Sequence, residues 1–215
     1  HGVTRISINP QSMKEHTLEL LGRKHTVEEI REKFMLARTL GFDNINMDLI
    51  AGLPEETLED FKETLREVEA LKPDSITVHT LVIKRASRLR KEQLEQGGEM
   101  REEDACIEPM QKEAEQFCRV HGYEPYYMYR QKNKAHTTRN TNQENVAYAK
   151  PGKECLYNIF IMEELQSILA LGSGGSSKIV FPEENRMERV ENVKSVDDYI
   201  GRIDEMIRRK KESWR

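Results

Sequence analysis

The sequence predicts an α/β protein: part of a parallel (β/α) barrel followed by a smaller α+β domain. Three observations carry this. Residues 2–81 alternate strand and helix patterns as βαβαβ. Each strand of that run has one apolar and one polar face. After about residue 95 the alternation stops, and helix, aromatic strand and glycine-rich turn follow without a period. The expected division is therefore 1–95 for the later part of a barrel and 96–215 for the α+β domain.

The first strand is GVTRISIN. Arg5, Ser7 and Asn9 share one face, and Thr4, Ile6 and Ile8 the other. A helix opens at Thr26, which forms a capping box with Glu29. Ile30, Phe34 and Ala37 recur at helical spacing with Leu40 behind them, and Gly41 suits the left-handed residue that ends a helix. The second strand, 44–50, alternates Asn44, Asn46 and Asp48 with Ile45, Met47 and Leu49. The next helix starts near Thr57, with Asp60 three places on. Phe61, Leu65, Val68 and Leu71 make its stripe, and Lys72-Pro73 ends it. The third strand, SITVHTL, sets Ser75, Thr77 and His79 on one face and Ile76 and Val78 on the other.

Crossovers of this kind are right-handed and give parallel strands. Such strands usually read as near-continuous apolar runs, because both faces are buried. Here three polar faces align instead. A buried polar face is costly unless its groups find partners. The pattern suits the inside of a barrel or half-barrel around a polar ligand, with the loops after Asn9 and Ile50 on the functional rim. An open sheet with one solvated face is the alternative.

In the remainder, 99–121 is expected to be helical, with Ala105, Met110, Ala114, Phe117 and Val120 on one side. YEPYYMYR is strand-like, 131–145 a polar loop, and 155–171 either strand or helix. LGSGGSS at 171–177 is a turn. A last helix spans 195–212, capped by Ser195 with Asp198, and Ile200, Ile203 and Ile207 are expected to face inward.

Composition narrows the function. Of 215 residues, 37% are hydrophobic and 33% charged, and the net charge of −4 gives no global case for nucleic acid or an anionic membrane. No apolar run approaches the ~18 residues of a membrane span, and no secretory pattern is present. Cys106, Cys118 and Cys155 form no CxxC pair, so a disulfide framework or zinc ribbon is not expected and a reducing cytoplasm is. The first residue is His1 and a strand follows at once, so the chain is expected to be a piece of a longer polypeptide.

Several residues are candidates for chemistry. Asp48, near the rim, could accept hydrogen bonds from a ribose diol or hold an amine, or simply pair with Arg5. Gln11 can both donate and accept beside a ligand, or serve as a turn residue after Pro10. Arg23 offers a carboxylate-binding fork, or is a surface arginine. His79 is a proton carrier or a core histidine. Lys84, Arg85, Arg88, Arg90 and Lys91 could receive an acidic substrate or form a solvated face. LGSGGSS could cradle an anion or make a hairpin. Cys118 and His121 have no second pair to complete a metal site. Tyr123, Tyr126, Tyr127 and Tyr129 could stack on a planar ring or pack a strand.

At RISINPQS, LLGRKHT, INMDLIAGLPEET, PDSITVHTLVIKRAS and ENVAYAKPGKECLYN the chain resembles the oxygen-independent coproporphyrinogen III oxidase family of radical S-adenosylmethionine (SAM) proteins, most nearly its coproporphyrinogen dehydrogenase branch. The resemblance implies a partial (β/α) barrel with a C-terminal α+β domain. It implies that 1–95 is the SAM-binding half, with Gln11, Arg23 and Asp48 contacting SAM and a backbone contact near Val82. It implies a role in haem biosynthesis: oxidative decarboxylation of coproporphyrinogen III to protoporphyrinogen IX, with a tetrapyrrole substrate, an electron donor and no membrane or nucleic acid, in a monomer. A haem chaperone is the alternative within the same family. The family's [4Fe–4S] cluster is held by a C-x3-C-x2-C motif. Cys106, Cys118 and Cys155 lie 12 and 37 residues apart and cannot replace it, so the cluster ligands are expected upstream and the chain alone is expected to be inactive.

Overall fold

The structure is a computed structural model that describes residues 2–81, 107–130 and 144–214. The chain divides into two compact units, His1–Glu154 and Cys155–Arg215.

The first unit is built on five strands: β1 (Ile6–Ser7), β2 (Ile45–Ala51), β3 (Ser75–Thr80), β4 (Glu124–Arg130) and β5 (Glu144–Ala149), in spatial order β1-β2-β3-β5-β4. β1, β2 and β3 are parallel, with Ile6 opposite Ile45 and Asp48 opposite Thr77. β5 runs antiparallel to β3 and β4 antiparallel to β5. Four helices belong to this unit among the described residues: α1 (Glu15–Leu20), α2 (Val27–Thr39), α3 (Leu58–Leu71) and α4 (Ile107–Val120).

Local sequence explains most of these elements. Thr26 and Thr57 each accept from the amide three residues on, while Glu29 and Asp60 return the bond to the cap's own amide. Both boxes satisfy donors the helix leaves unpaired at its start. Gly41 takes φ +90°, where a Cβ is disfavoured. Asp74 sets the register between β2 and β3. Its Oδ2 accepts from the Ile45 amide at 2.8 Å, its amide donates to the Ile45 carbonyl at 2.9 Å, and Arg38 pairs with it at 2.7 Å.

One face of the sheet is the core. Ile45, Met47, Leu49 and Ala51 of β2 and Ile76 and Val78 of β3 pack against Ile30 and Phe34 of α2, Phe61, Leu65 and Val68 of α3, and Met110, Ala114 and Cys118 of α4. Each fully buried large side chain contributes about 1.5–3 kcal/mol. Thus the helical stripes expected on α2 and α3 lie inward, except that Leu40 is exposed.

Several expectations need correction. The first strand is two residues long instead of eight, and among the described residues it pairs with β2 alone. A short helix, α1, follows it. The first compact unit runs on to Glu154, because β5 pairs with the free edge of β3 and carries β4 outside it. The change of pattern marks a switch from parallel to antiparallel pairing within one sheet. On α4 the buried residues are Ile107, Met110, Ala114 and Cys118, whereas Val120 is exposed; Ala105 lies outside the described residues.

The second unit carries α5 (Leu156–Met162), a hairpin of β6 (Ser176–Phe181) and β7 (Arg186–Glu191), then α6 (Val196–Gly201) and α7 (Ile203–Ser213). The apolar stretch 155–171 therefore resolves as a helix followed by irregular chain. The final helix is two, broken at Arg202. Its inward residue is Met206, while Ile200, Ile203 and Ile207 are exposed.

Candidate functional site

The other face of the parallel strands is polar and closed upon itself. Asn46 is its hub. Its Oδ1 accepts from Ser75 Oγ at 3.1 Å and Thr77 Oγ1 at 3.2 Å, and its Nδ2 donates to Asp48 Oδ1 at 2.6 Å and Ser7 Oγ at 3.3 Å. Arg5 Nη2 donates to Ser75 Oγ at 2.9 Å. Asn46, Ser75 and Thr77 are buried, so this is not the solvated face of an open sheet. Every member comes from a strand position that the alternation assigned to the polar side.

Asp48 lies at the middle of β2, with 21% of its side chain exposed. Burial acts to raise its carboxyl pKa, but its interactions with His79, Asn46 and Thr77 outweigh it and hold the carboxyl below the usual range. The group stays ionised. Its ion-pair partner is His79, Nε2 to Oδ2 3.7 Å, and not Arg5. Arg5 is engaged with Ser75 instead.

Gln11 sits just beyond β1 and bridges to Leu49. Its amide donates to the Asp48 carbonyl and its carbonyl accepts from the Ile50 amide, both at 3.0 Å. Its φ is +69°, unusual for a residue with a Cβ, and its Nε2 turns back to the Asn9 carbonyl at 3.3 Å. The structure thus brings Gln11 and Asp48 together through the backbone. Arg23 is exposed in the loop between α1 and α2. Among the described residues its guanidinium has no hydrogen-bond or ion-pair partner, and no contact joins it to Asp48 or Gln11. Val82 and the cations at 84–91 lie outside the described residues.

Two residues that sequence reasoning missed fix this rim. Ser12 Oγ donates to Glu56 Oε1 at 2.5 Å, and both are buried. Burial raises the Glu56 carboxyl above its ordinary value, more than the Ser12 and Thr17 hydroxyls lower it. In the sequence Glu56 is one of two adjacent glutamates before a helix cap and reads as a surface charge. Close by, Lys14 Nζ pairs with Asp60 at 2.7 Å and the Met13 amide donates to Thr64 Oγ1 at 3.2 Å. The chain after Gln11 is therefore clamped to the start of α3.

Tyr127 lies opposite Ala147 and Tyr129 opposite Asn145, continuing the row that contains Thr77. Tyr123 instead joins the core and donates to the Pro73 carbonyl at 2.7 Å. The glycine-rich turn does not present its amides to an anion: the amides of Gly172, Gly174 and Gly175 bond to Tyr199, Val193 and Gly172.

Cys118 is buried, and burial pushes its thiol up to about 12, so it is no thiolate ligand at neutral pH. His121 is held by the Phe117 carbonyl and Glu69. Among the described residues no group of three or more histidine, cysteine or carboxylate side chains could hold a metal. The described residues therefore do not fit an iron–sulfur cluster. Nor, among them, is any helix long and apolar enough to cross a membrane.

The family model for the radical SAM superfamily matches residues 1–68, the span that carries Gln11, Arg23 and Asp48. The oxygen-independent coproporphyrinogen-III oxidase-like protein HemZ of Bacillus subtilis (strain 168) is 44% identical over 204 residues, covering 95% of this chain and 39% of that protein. The chain is thus similar to oxygen-independent coproporphyrinogen III oxidase-like radical SAM proteins. The haem chaperone HemW of Escherichia coli (strain K12) is 29% identical over 182 residues, 85% of this chain and 42% of that protein. The solved structure of coproporphyrinogen III oxidase (HemN) from Escherichia coli, a radical SAM enzyme, matches with a TM-score of 0.65 at 20% identity, over 95% of this chain and 44% of that one. The chain spans about two fifths of the length of the curated relatives it matches over most of its own. Its fold is part of the radical SAM barrel with a smaller α+β unit after it. Radical SAM domains in general use SAM and a [4Fe–4S] cluster.

Proposed function

We propose that this chain supplies the SAM-holding part of a radical SAM enzyme that converts coproporphyrinogen III to protoporphyrinogen IX in haem biosynthesis. The observation that carries the reading is Asp48: an ionised, partly accessible carboxylate, fixed by Asn46 on the polar face of the parallel strands. A preset acceptor of this kind suits a ribose diol. Gln11 is the second contact, Arg23 the group for the methionyl carboxylate, and the backbone near Val82 a further contact. SAM supplies a 5′-deoxyadenosyl group for radical chemistry when bound. This chain's own residues bind and orient it, and the cluster ligands come from elsewhere in the protein. The cations at 84–91 favour an anionic tetrapyrrole as substrate, and the protein acts as a cytoplasmic monomer with an electron donor.

The test is SAM binding by calorimetry to the full-length, iron-reconstituted protein, followed by anaerobic turnover of coproporphyrinogen III. Asp48→Asn is expected to weaken SAM about 10- to 100-fold, as for a lost bond to a charged group. Unchanged affinity removes Asp48 from the site. A haem chaperone is the second reading, favoured by the likeness to HemW. Stable haem binding without any decarboxylation of the porphyrinogen would select it.

A further inference from the structure

His79 occupies the last polar position of β3 and stands beside Asp48. The two carboxylate oxygens of Asp48 have different surroundings. Oδ1 takes the Asn46 amide at 2.6 Å, which fixes the rotamer. Oδ2 faces His79 Nε2 at 3.7 Å. That distance is too long for a direct hydrogen bond. It is short enough for one hydroxyl oxygen to lie within about 2.8 Å of both atoms, the ordinary length of such contacts. Both side chains are reachable, 21% exposed for Asp48 and 35% for His79.

Among the described residues, the surroundings leave this gap to the pair. Arg5 is held by Ser75, at the opposite end of β3. β5 presents Ala147 and Ala149 on this face, and the Asn145 side chain accepts from the Thr80 amide. Tyr127 and Tyr129 lie beyond, on β4. Among the described residues, Asp48 and His79 are the two groups on this face that face each other with opposite hydrogen-bonding capacity across an unbridged gap.

We propose that His79 is a further ligand-contacting residue, which reads one hydroxyl of a ribose together with Asp48. The carboxylate accepts from the hydroxyl, and His79 Nε2–H donates to the same oxygen. This rests on the reading of Asp48 as part of a SAM site and adds specificity to it. A carboxylate alone accepts from any hydroxyl. The pair requires one that donates and accepts at a fixed point, as a ribose hydroxyl does and a deoxyribose carbon does not.

Competition binding against the full-length, reconstituted protein tests this, with S-adenosylhomocysteine and its 2′-deoxy and 3′-deoxy analogues as probes. Wild type is expected to bind one deoxy analogue about 10- to 100-fold more weakly than the parent. His79→Ala is expected to lose part of that discrimination, a severalfold share, since Asp48 still accepts from the hydroxyl, while its melting temperature stays near wild type. His79→Gln, which keeps an N–H donor, is expected to restore part of it. If His79→Ala discriminates among the three probes as wild type does, the role of His79 is overturned while the SAM site stands. If wild type binds neither S-adenosylhomocysteine nor SAM, the SAM-site reading falls and this inference with it.

Discussion

Ser12 donates its hydroxyl hydrogen to Glu56 across 2.5 Å inside the protein, 44 residues away in sequence. This one bond joins the chain after Gln11 to the loop after β2, the two segments that frame Asp48. It also leaves a carboxylate buried at 8% exposure, where its charge is poorly solvated.

The pH dependence of stability follows from that burial. A carboxyl whose folded pKa is raised binds its proton more tightly when folded, so it favours the folded state at low pH. This advantage is lost as pH rises above the ordinary value of 4.5 and through the raised value. Glu56→Gln keeps an acceptor for Ser12 and removes the charge. It is expected to melt higher than wild type at neutral pH, with the gap closing toward pH 4.5. Thermal melts across that range check this; a Glu56→Gln variant less stable than wild type at pH 7 would show that the charge itself is required.

Asp60 works in the opposite sense. Lys14 and the Thr57 hydroxyl and amide hold its carboxyl down to about 2, from 3.8. Its contribution is complete above 3.8 and is lost as pH falls toward 2. Asp60→Asn should flatten acid unfolding in that window. It should also cost about 1 kcal/mol at neutral pH through the weakened capping box. Acid titrations followed by circular dichroism measure both.

Gln11 combines strain with function. At φ +69° a residue with a Cβ costs about 1 kcal/mol or more, and glycine does not. Gln11→Gly is expected to hold or slightly raise the melting temperature, since both backbone bonds to β2 remain. It should weaken SAM at least severalfold. Equal SAM binding would leave the Gln11 side chain with no role.

Gly52 is required by packing. Its φ is +82°, and a Cβ there would lie 2.6 Å from Ile107 Cγ1. Gly52→Ala is expected to cost about 2 kcal/mol or more, combining left-handed strain with the clash. In the Ile107→Ala background the clash is gone and only the strain should remain, so a double-mutant cycle in urea separates the two.

Local chemistry made much of this molecule legible. The caps at Thr26 and Thr57, the stop at Lys72-Pro73 and the alternation along β2 and β3 depend on neighbours a few residues apart, and each is where the sequence placed it. The polar faces were legible for the same reason, since a strand side chain's face follows from its position alone. Tertiary structure decided what pairs with what. β5 closes on β3 and so joins the first compact unit, because an open strand edge takes whichever partner the whole chain brings to it. Glu56 is buried, Ile207 exposed and Asp48 turned to His79 instead of Arg5 for a like reason: burial and partnership are set by contacts between residues far apart in sequence, and no spacing along the chain encodes them.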